Sequence, residues 1–163
     1  MKYLPHLLLA CATALSFASC AAPGGAGGGG ASTETQLGPH SAQKFALVTR
    51  RSGAQNPDPQ ASRTVALVIK VEQQMTSGGQ EIKATASAHR DGPNGALTTG
   101  VILSAEVVQP EEFKTEPRET GEARVNKTIG AQGNKFRTVV ARAVASSKEF
   151  PDAVVELTIP GDQ

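Results

Sequence analysis

Alternation between apolar and polar residues is the feature that most constrains the fold of this chain. From residue 45 onward, apolar side chains occupy every second position in five stretches, with charged and hydroxyl side chains between them. Such alternation is typical of β-strands that bury one face and expose the other. The apolar residues of the pattern are Phe45 and Leu47; Val65, Leu67, Ile69 and Val71; Ile82, Ala84, Ala86 and Ala88; Val101, Leu103, Ala105 and Val107; and Ala153, Val155, Leu157 and Ile159.

Two further stretches have strand character without such a clean pattern. Residues 123–129 predict a short additional strand, whereas residues 136–145 carry apolar side chains at both odd and even positions. The second stretch predicts either a central strand covered on both faces or a strand with a bulge that reverses its orientation. We favour the central strand.

Turn-forming residues separate the predicted strands. Glycine and Asn tolerate positive φ, and Pro presets the φ of a turn entry. Gly78-Gly79 between two alternating runs predicts a hairpin. The other turn clusters lie at residues 56–59, 91–95, 130–134 and 150–152. No stretch has the sustained 3.6-residue period of a capped helix.

About seven strands at this spacing predict an all-β fold, a single antiparallel β-sandwich over residues 42–160. The pattern resembles immunoglobulin and fibronectin type III domains, above all in the last two strands at residues 135–147 and 152–159. The Cys…Trp…Cys hallmark of true immunoglobulin domains is absent, because the chain contains no Trp. The resemblance therefore concerns architecture.

The first 20 residues carry the signals of an exported protein. A single basic residue, Lys2, precedes an apolar stretch over residues 4–17 and small residues at Ala18 and Ser19. This order predicts a secretory signal peptide at residues 1–19, because the apolar stretch is shorter than the roughly 20 residues of a membrane span. An ordinary secretory signal would leave Cys20 as a free thiol.

The segment Phe17-Ala18-Ser19-Cys20 resembles the cleavage motif of bacterial lipoproteins, in which an apolar residue and two small residues precede an obligatory cysteine. The resemblance implies that Cys20 becomes the acylated N-terminus and attaches the protein to the lipid bilayer. Cys11 is the alternative site, after a much shorter apolar stretch. Alanine at position 21, where an Asp would retain the protein in the inner membrane, implies the outer membrane of the bacterial cell envelope.

Residues 20–41 are predicted to form a flexible tether between Cys20 and the domain. Glycine-rich chain has little apolar surface to bury, and about 20 such residues reach roughly 25 Å. No strand precedes these glycines and no Gly-Lys-Ser/Thr follows them, so they do not form a phosphate-binding loop.

Charge and composition exclude several classes of partner. Without Lys2 the chain has equal numbers of basic and acidic side chains, because the whole chain has 16 Lys and Arg against 15 Asp and Glu. No basic surface for nucleic acid is expected, so no nucleic-acid partner is predicted. Beyond Cys20 the chain has no cysteine, and the only histidines after it are His40 and His89. We therefore predict no metal and no other cofactor.

His89 is the residue around which a catalytic or ligand site would have to form. No Gly-x-Ser-x-Gly motif is present, and a serine–histidine–carboxylate set would need His89. Its position on the polar side of its strand, close to Asp91, predicts a solvated histidine beside a turn. A small-ligand binder or hydrolase with a pocket near His89 is the alternative to a non-enzymatic protein.

Phe113 is the candidate for contact with a protein partner. It lies within residues 110–122, the longest polar connection, which contains five Glu. Loops on rigid scaffolds often carry recognition residues, and a lone aromatic can anchor a partner. The alternative interpretation is a solvated crossover in which Phe113 closes one end of the sandwich.

The leading functional prediction is a membrane-anchored, non-enzymatic envelope lipoprotein that contacts other envelope proteins or has a structural role. Asn56-Pro57-Asp58 and the closing strand Val-Val-Glu-Leu-Thr-Ile-Pro at residues 154–160 resemble the short sandwich lipoprotein that anchors type VI secretion assemblies. This resemblance implies an accessory lipoprotein of a secretion or surface assembly.

Overall fold

The computed structural model describes residues 32–53, 63–130 and 133–163. These residues form ten β-strands and no helix, and the strands make two antiparallel sheets. The strands are β1 Ser32–Gly38, β2 Ser41–Thr49, β3 Thr64–Thr76, β4 Gly79–Arg90, β5 Ile102–Gln109, β6 Phe113–Lys114, β7 Arg118–Glu119, β8 Glu122–Ile129, β9 Val139–Ser146 and β10 Ala153–Ile159. The predicted all-β sandwich is confirmed, with ten strands in place of about seven.

The sheets differ in the strands that they combine. Sheet A has the order β1-β2-β3-β4-β8, and sheet B has the order β10-β9-β5-β6, with β7 also paired to β5. Across the sandwich, β10 lies opposite β2 and β3, and β5 lies opposite β4 and β8. The substantial contacts of β1 are all with β2, so β1 extends sheet A beyond the edge of sheet B.

The core between the sheets consists of aliphatic side chains at alternate positions of the long strands. Four of the five predicted apolar sets face it, namely those of β3, β4 and β10 and the set of β5 together with Val101. All of their members are buried except Ala153, which is partly buried. Burial of one Leu or Ile side chain of this kind contributes roughly 1.5–3 kcal/mol. Among the described residues, the only buried polar or charged ones are Gln80, Ser87, Thr98 and Ser104.

The set of β2 is the exception. Phe45 and Leu47 pair across the ladder with Val68 and Ala66, which lie on the outer face of β3. Ala42, Ala46 and Val48 contribute to the core in their place. The expectation that Phe45 and Leu47 lie on a buried inner face is therefore wrong, and the small residues between them carry that role.

The N-terminal boundary of the domain also differs from the prediction. Residues 32–41 were expected to belong to the tether, but they form β1, the turn at Pro39-His40 and the first residue of β2. Thr33 and Thr35 pair with residues of β2, and pairing with a stable neighbouring strand orders a segment that has no core side chains of its own. The predicted signal peptide, Cys20 and the glycine-rich part of the tether lie outside the described residues.

The hairpin at Gly78-Gly79 is confirmed, because Thr76 pairs with Gly79 and a two-residue turn joins β3 to β4. β9 is confirmed as a central strand, between β10 and β5. Its outer face is half-buried, whereas its inner face is fully buried. The bulge in this sheet lies in β5, between Val107 and Gln109.

Different groups close the two ends of the sandwich. At one end Phe150 is 9% exposed and packs into the core, while Arg50 forms an ion pair with Glu149. At the other end the buried amide of Gln80 donates to the Arg137 carbonyl (3.2 Å) and accepts from the Arg137 backbone N–H (2.9 Å). These two bonds attach β4 of sheet A to the segment that leads into β9 of sheet B.

Candidate functional site

An apolar cluster lies on the outer face of sheet A, where an antiparallel sandwich normally presents polar side chains. We call it the outer patch. Cross-strand pairing places Phe45 beside Val68, and Leu47, Ala66, His89 and Leu97 in one row. The apolar members of the outer patch are Phe45, Leu47, Ala66, Val68 and Leu97; Ala66 and Val68 are buried, Phe45 and Leu47 are partly exposed, and Leu97 is exposed.

Leu97 is the most exposed member of the outer patch, at 48%. The chain after β4 turns back so that residues 96–98 lie beside β4: the Arg90 N–H donates to the Ala96 carbonyl and the Thr98 N–H to the Ala88 carbonyl, both at 2.9 Å. An isolated bridge between His89 and Leu97 extends the outer face by one residue. The backbone therefore holds Leu97 at a defined position, although it lies outside a regular strand.

His89 is hydrogen-bonded through both ring nitrogens. Nδ1 lies 2.8 Å from the Gly95 carbonyl oxygen, and Nε2 lies 2.8 Å from Ser87 Oγ. A carbonyl can only accept, so Nδ1 carries the proton in the neutral ring and Nε2 accepts from the serine hydroxyl. The side chain thus ties the turn at residues 91–95 to β4 and is not simply solvated.

Ser87 and His89 are placed like the nucleophile and the general base of a catalytic triad, in which a third group orients the base. Ser87 Oγ bonds to a histidine whose other nitrogen is oriented by an acceptor, as nucleophilic catalysis requires. The acceptor is a backbone carbonyl where a triad has a carboxylate. Ser87 is 7% exposed, so little of its surface is open to a substrate.

His89 does not line any of three clefts of the described residues. One of them, of about 300 Å³, lies beside residues 72–74, Glu81 and Lys83. One of about 350 Å³ lies between residues 98–102 and 147–150, and one of about 490 Å³ lies between residues 135–138 and 160–163. The space beneath Phe150 is apolar and measures about 20 Å³, which is room for about one water molecule. The core beneath Phe150 is therefore apolar and has no room for a ligand.

A polar row of Gln43, Lys70 and Thr85 borders the outer patch, and charged residues follow farther along β4. On the same face Lys83 lies 3.5 Å from Glu81, and Asn126 Nδ2 donates to the same carboxylate at 2.9 Å. The hydrogen bond from Asn126, helped by Lys83, lowers the pKa of Glu81 below its ordinary value of 4.5, against the smaller effect of desolvation. The outer face of sheet A therefore carries both positive and negative side chains beyond the outer patch.

Phe113 lies at the opposite side of the sandwich from β1. It pairs with Val107 of β5 and packs against the core while remaining partly exposed. Lys127 Nζ lies 5.3 Å from the centre of its ring and forms an ion pair with Glu111 at 3.0 Å. Its neighbours are therefore those of a residue that seals the gap between β6 and β8; its role as a partner contact stays a prediction.

Two kinds of feature are absent from the part of the chain that the structure describes, a metal-binding cluster and a membrane-spanning helix. There, no group of three or more His, Cys, Asp or Glu side chains is placed to hold a metal ion. No helix in the same ranges is long and apolar enough to cross a membrane. Cys20 and the Asn56-Pro57-Asp58 motif lie outside these ranges.

Comparison with known proteins identifies no relative: no family model matches the chain, and no curated protein matches it.

The outer patch was missed by reasoning from the sequence. Its signal was present in β2, where Ala42, Ala46 and Val48 alternate with Phe45 and Leu47, so that both faces of the strand carry apolar residues. Only the register with β3 and β4 shows that Phe45 and Leu47 join a cluster around His89.

Proposed function

We propose that this chain is a membrane-anchored, non-enzymatic protein of the bacterial envelope, which binds another envelope protein through the outer patch. The observation that carries the proposal is the apolar surface of Phe45, Leu47 and Leu97 on a sheet face that would otherwise be polar. Exposed apolar clusters with polar borders mark protein interaction sites. The apolar core, with no room for a ligand beneath Phe150, supports a binding module over a small-ligand binder.

Anchoring is the second part of the proposal. The motif at Cys20 supports acylation, and two acyl chains give stable membrane attachment where one gives only reversible binding. Ala21 supports placement in the outer membrane, and a role beside a secretion or surface assembly is one specific form of the function. The tether before Ser32 would then leave the outer patch free to meet a partner near the membrane surface.

A photo-crosslinking amino acid at position 97 tests the docking role in intact cells. Position 154 is the matched control, because Val154 is also an exposed aliphatic residue (59%) but lies on β10 of sheet B. We expect a discrete covalent adduct with one envelope protein at position 97 and none at position 154. No adduct at position 97, or the same adducts at both positions, would contradict the proposal.

Cys20→Ser tests the anchor separately. The lipoprotein pathway should leave the signal peptide of the variant uncleaved, and the variant should lack the diacylglyceryl modification. Mass spectrometry of the N-terminal peptides of the wild type and the variant measures both changes. A variant that still carries lipid would show that the attachment lies elsewhere.

A serine hydrolase is the second candidate, favoured by the bond between Ser87 Oγ and His89 Nε2. A fluorophosphonate probe reacts with activated serines, so labelling that Ser87→Ala abolishes would support this candidate. Absence of labelling in the folded wild-type protein would remove it.

A further inference from the structure

Each sheet of the sandwich has two edges, and three of the four are poorly suited to pairing with another copy. Edge strands present unpaired N–H and C=O groups, which proteins protect with short strands, charges or proline. β6 and β7 have two residues each; β6 lies between Pro110 and Pro117, and β7 directly follows Pro117. β8 carries Arg124 and Lys127, so that antiparallel pairing with its own copy over the full strand would place these like charges opposite each other.

β10 is unsuited for the same reason. It runs over seven residues with Glu156 at its centre. Full antiparallel pairing of two β10 strands would place Glu156 opposite Glu156 of the other copy, and like charges directly opposite are destabilising. Glu156 already bonds to Arg142 of β9 at 2.7 Å, which would be shared with a second carboxylate.

β1 has no proline, and its one carboxylate, Glu34, does not lie at its centre; the irregularity in its pairing with β2, between Gln36 and Gly38, lies near its C-terminal end. Its first six residues are exposed, and its substantial contacts are all with β2. Because no strand of sheet B packs beneath it, a second sheet can approach its free edge without meeting the rest of the molecule. It contains two β-branched Thr in its centre, a residue type that favours strands.

The sequence of β1 is complementary to itself. Antiparallel pairing centred on Thr35 places Thr35 opposite Thr35 and Glu34 opposite Gln36, within the part of β1 that pairs regularly with β2. Cross-strand Thr pairs are favourable, and a Glu can accept a hydrogen bond from the Gln amide. A shift by one pair toward the N-terminus would place Glu34 opposite Glu34, so charge selects against that register.

We propose that β1 pairs with β1 of a second copy of this chain, centred on Thr35, and joins the two A sheets into one continuous ten-stranded sheet. The occupant of this edge is therefore the same protein, and the outer patches of both copies lie on the same face of the joined sheet. The pairing goes beyond the proposed function, which concerns the outer patch.

A seven-residue strand pair is a small interface. Stable dimers bury about 1,200–2,000 Å² in total, so β1 pairing by itself is expected to be weak between dilute soluble chains. Confinement raises the effective concentration of two binding partners. The expectation that the dimer prevails at a membrane rests on the proposed anchoring at Cys20. The proposed register of the pairing is independent of that anchoring.

Disulfide formation at position 35 tests the pairing in the full lipidated chain on phosphatidylglycerol–phosphatidylethanolamine vesicles. Thr35→Cys places a thiol opposite its own copy, and the acylated Cys20 does not compete. Ser32→Cys is the matched control, because two residues at position 32 would lie ~20 Å apart, six residues at ~3.4 Å each. We expect a covalent dimer with Thr35→Cys and at least tenfold less with Ser32→Cys; equal yields, or none with Thr35→Cys, would overturn the pairing.

Charge at position 36 gives an independent test in the Thr35→Cys background. Gln36→Lys creates two Glu–Lys pairs across the interface and Gln36→Glu creates two Glu–Glu pairs, each expected to change association by about 2- to 30-fold in opposite directions. Equal rates of disulfide formation for both variants would contradict the register. Thermal unfolding of both variants reports whether the fold is retained.

Failure of anchoring and failure of pairing are distinguishable. Flotation with the vesicles reports attachment alone. Should the chain not float, the same cysteine comparison with soluble chain at millimolar concentration still decides the pairing, with selective dimer formation at position 35 supporting it and equal or absent formation overturning it.

Discussion

Replacement of Gln80 by Met is the sharpest test of how the two sheets are held together. Gln80 is 0% exposed, although it is polar, and its side chain faces the interior near the end of β4. Met has a similar length and no hydrogen-bonding amide. Gln80→Met therefore removes the bonds to Arg137 N–H (2.9 Å), to Arg137 C=O (3.2 Å) and to Gln73 Oε1, with little change in volume.

The magnitude follows from the three groups that lose a partner, two on the Arg137 backbone and the Oε1 of the partly buried Gln73. A buried group left unsatisfied costs about 1–3 kcal/mol. Arg137 is only partly buried, so water can reach part of its backbone and the lower end of that range applies to each group. We expect the free energy of unfolding to fall by about 2–3 kcal/mol, which lowers Tm by roughly 6–15 °C for a domain of this size.

Urea denaturation followed by circular dichroism measures this change, with Tm from the thermal transition as a second reading. Gln74→Met is the matched control: the same chemical change on the exposed side of β3 should stay within about 0.5 kcal/mol of wild type. If Gln80→Met is as stable as Gln74→Met, the Gln80–Arg137 bonds do not hold the sheets together and the reasoning fails.

Two further predictions concern the turn after β4 and the charge on the outer face. A Cβ on Gly95 would lie 1.8 Å from the Arg90 carbonyl oxygen, whereas one on Gly130 would meet nothing within 4 Å. In urea titrations, Gly95→Ala should therefore lower the free energy of unfolding by more than about 2 kcal/mol, and Gly130→Ala by less than about 0.5 kcal/mol. Equal stabilities of the two variants would contradict the packing of this turn. The pKa of Glu81 is lowered in the folded protein, so its contribution to stability is present above its ordinary value of 4.5 and is lost as the pH falls through the folded pKa. Asn126→Ala should raise the pKa of Glu81 in a carbon-detected NMR titration and destabilise the protein at neutral pH but not at pH 2; an unchanged pKa would show that the bond is absent in solution.

Much of the architecture was predictable from local pattern. Period-2 alternation identified the strands that became β3, β4, β5 and β10, because a residue such as Leu157 or Ile69 can face only one side of its sheet. Gly78-Gly79 identified the hairpin for an equally local reason. β1 escaped detection, since a strand with both faces exposed has no alternation of hydrophobicity to read.

The candidate site was less predictable. His89 was singled out, but its bonds to Ser87 and Gly95 depend on how the turn folds back on β4. The outer patch depends on register across β2, β3 and β4, which brings Leu47 and Leu97 into one row although they are far apart in the sequence. No single strand contains that information.

The sequence by itself determined the all-β class, the residues of the main core and the expectation of a lipid anchor at Cys20, because each depends on neighbours along the chain. Tertiary structure alone decided which face of β2 is buried, that β1 extends sheet A past sheet B, and that Gln80 bonds to Arg137 across the end of the sandwich. Those outcomes depend on pairing and packing between segments distant in sequence, where the energy of a side chain is set by the strand it meets.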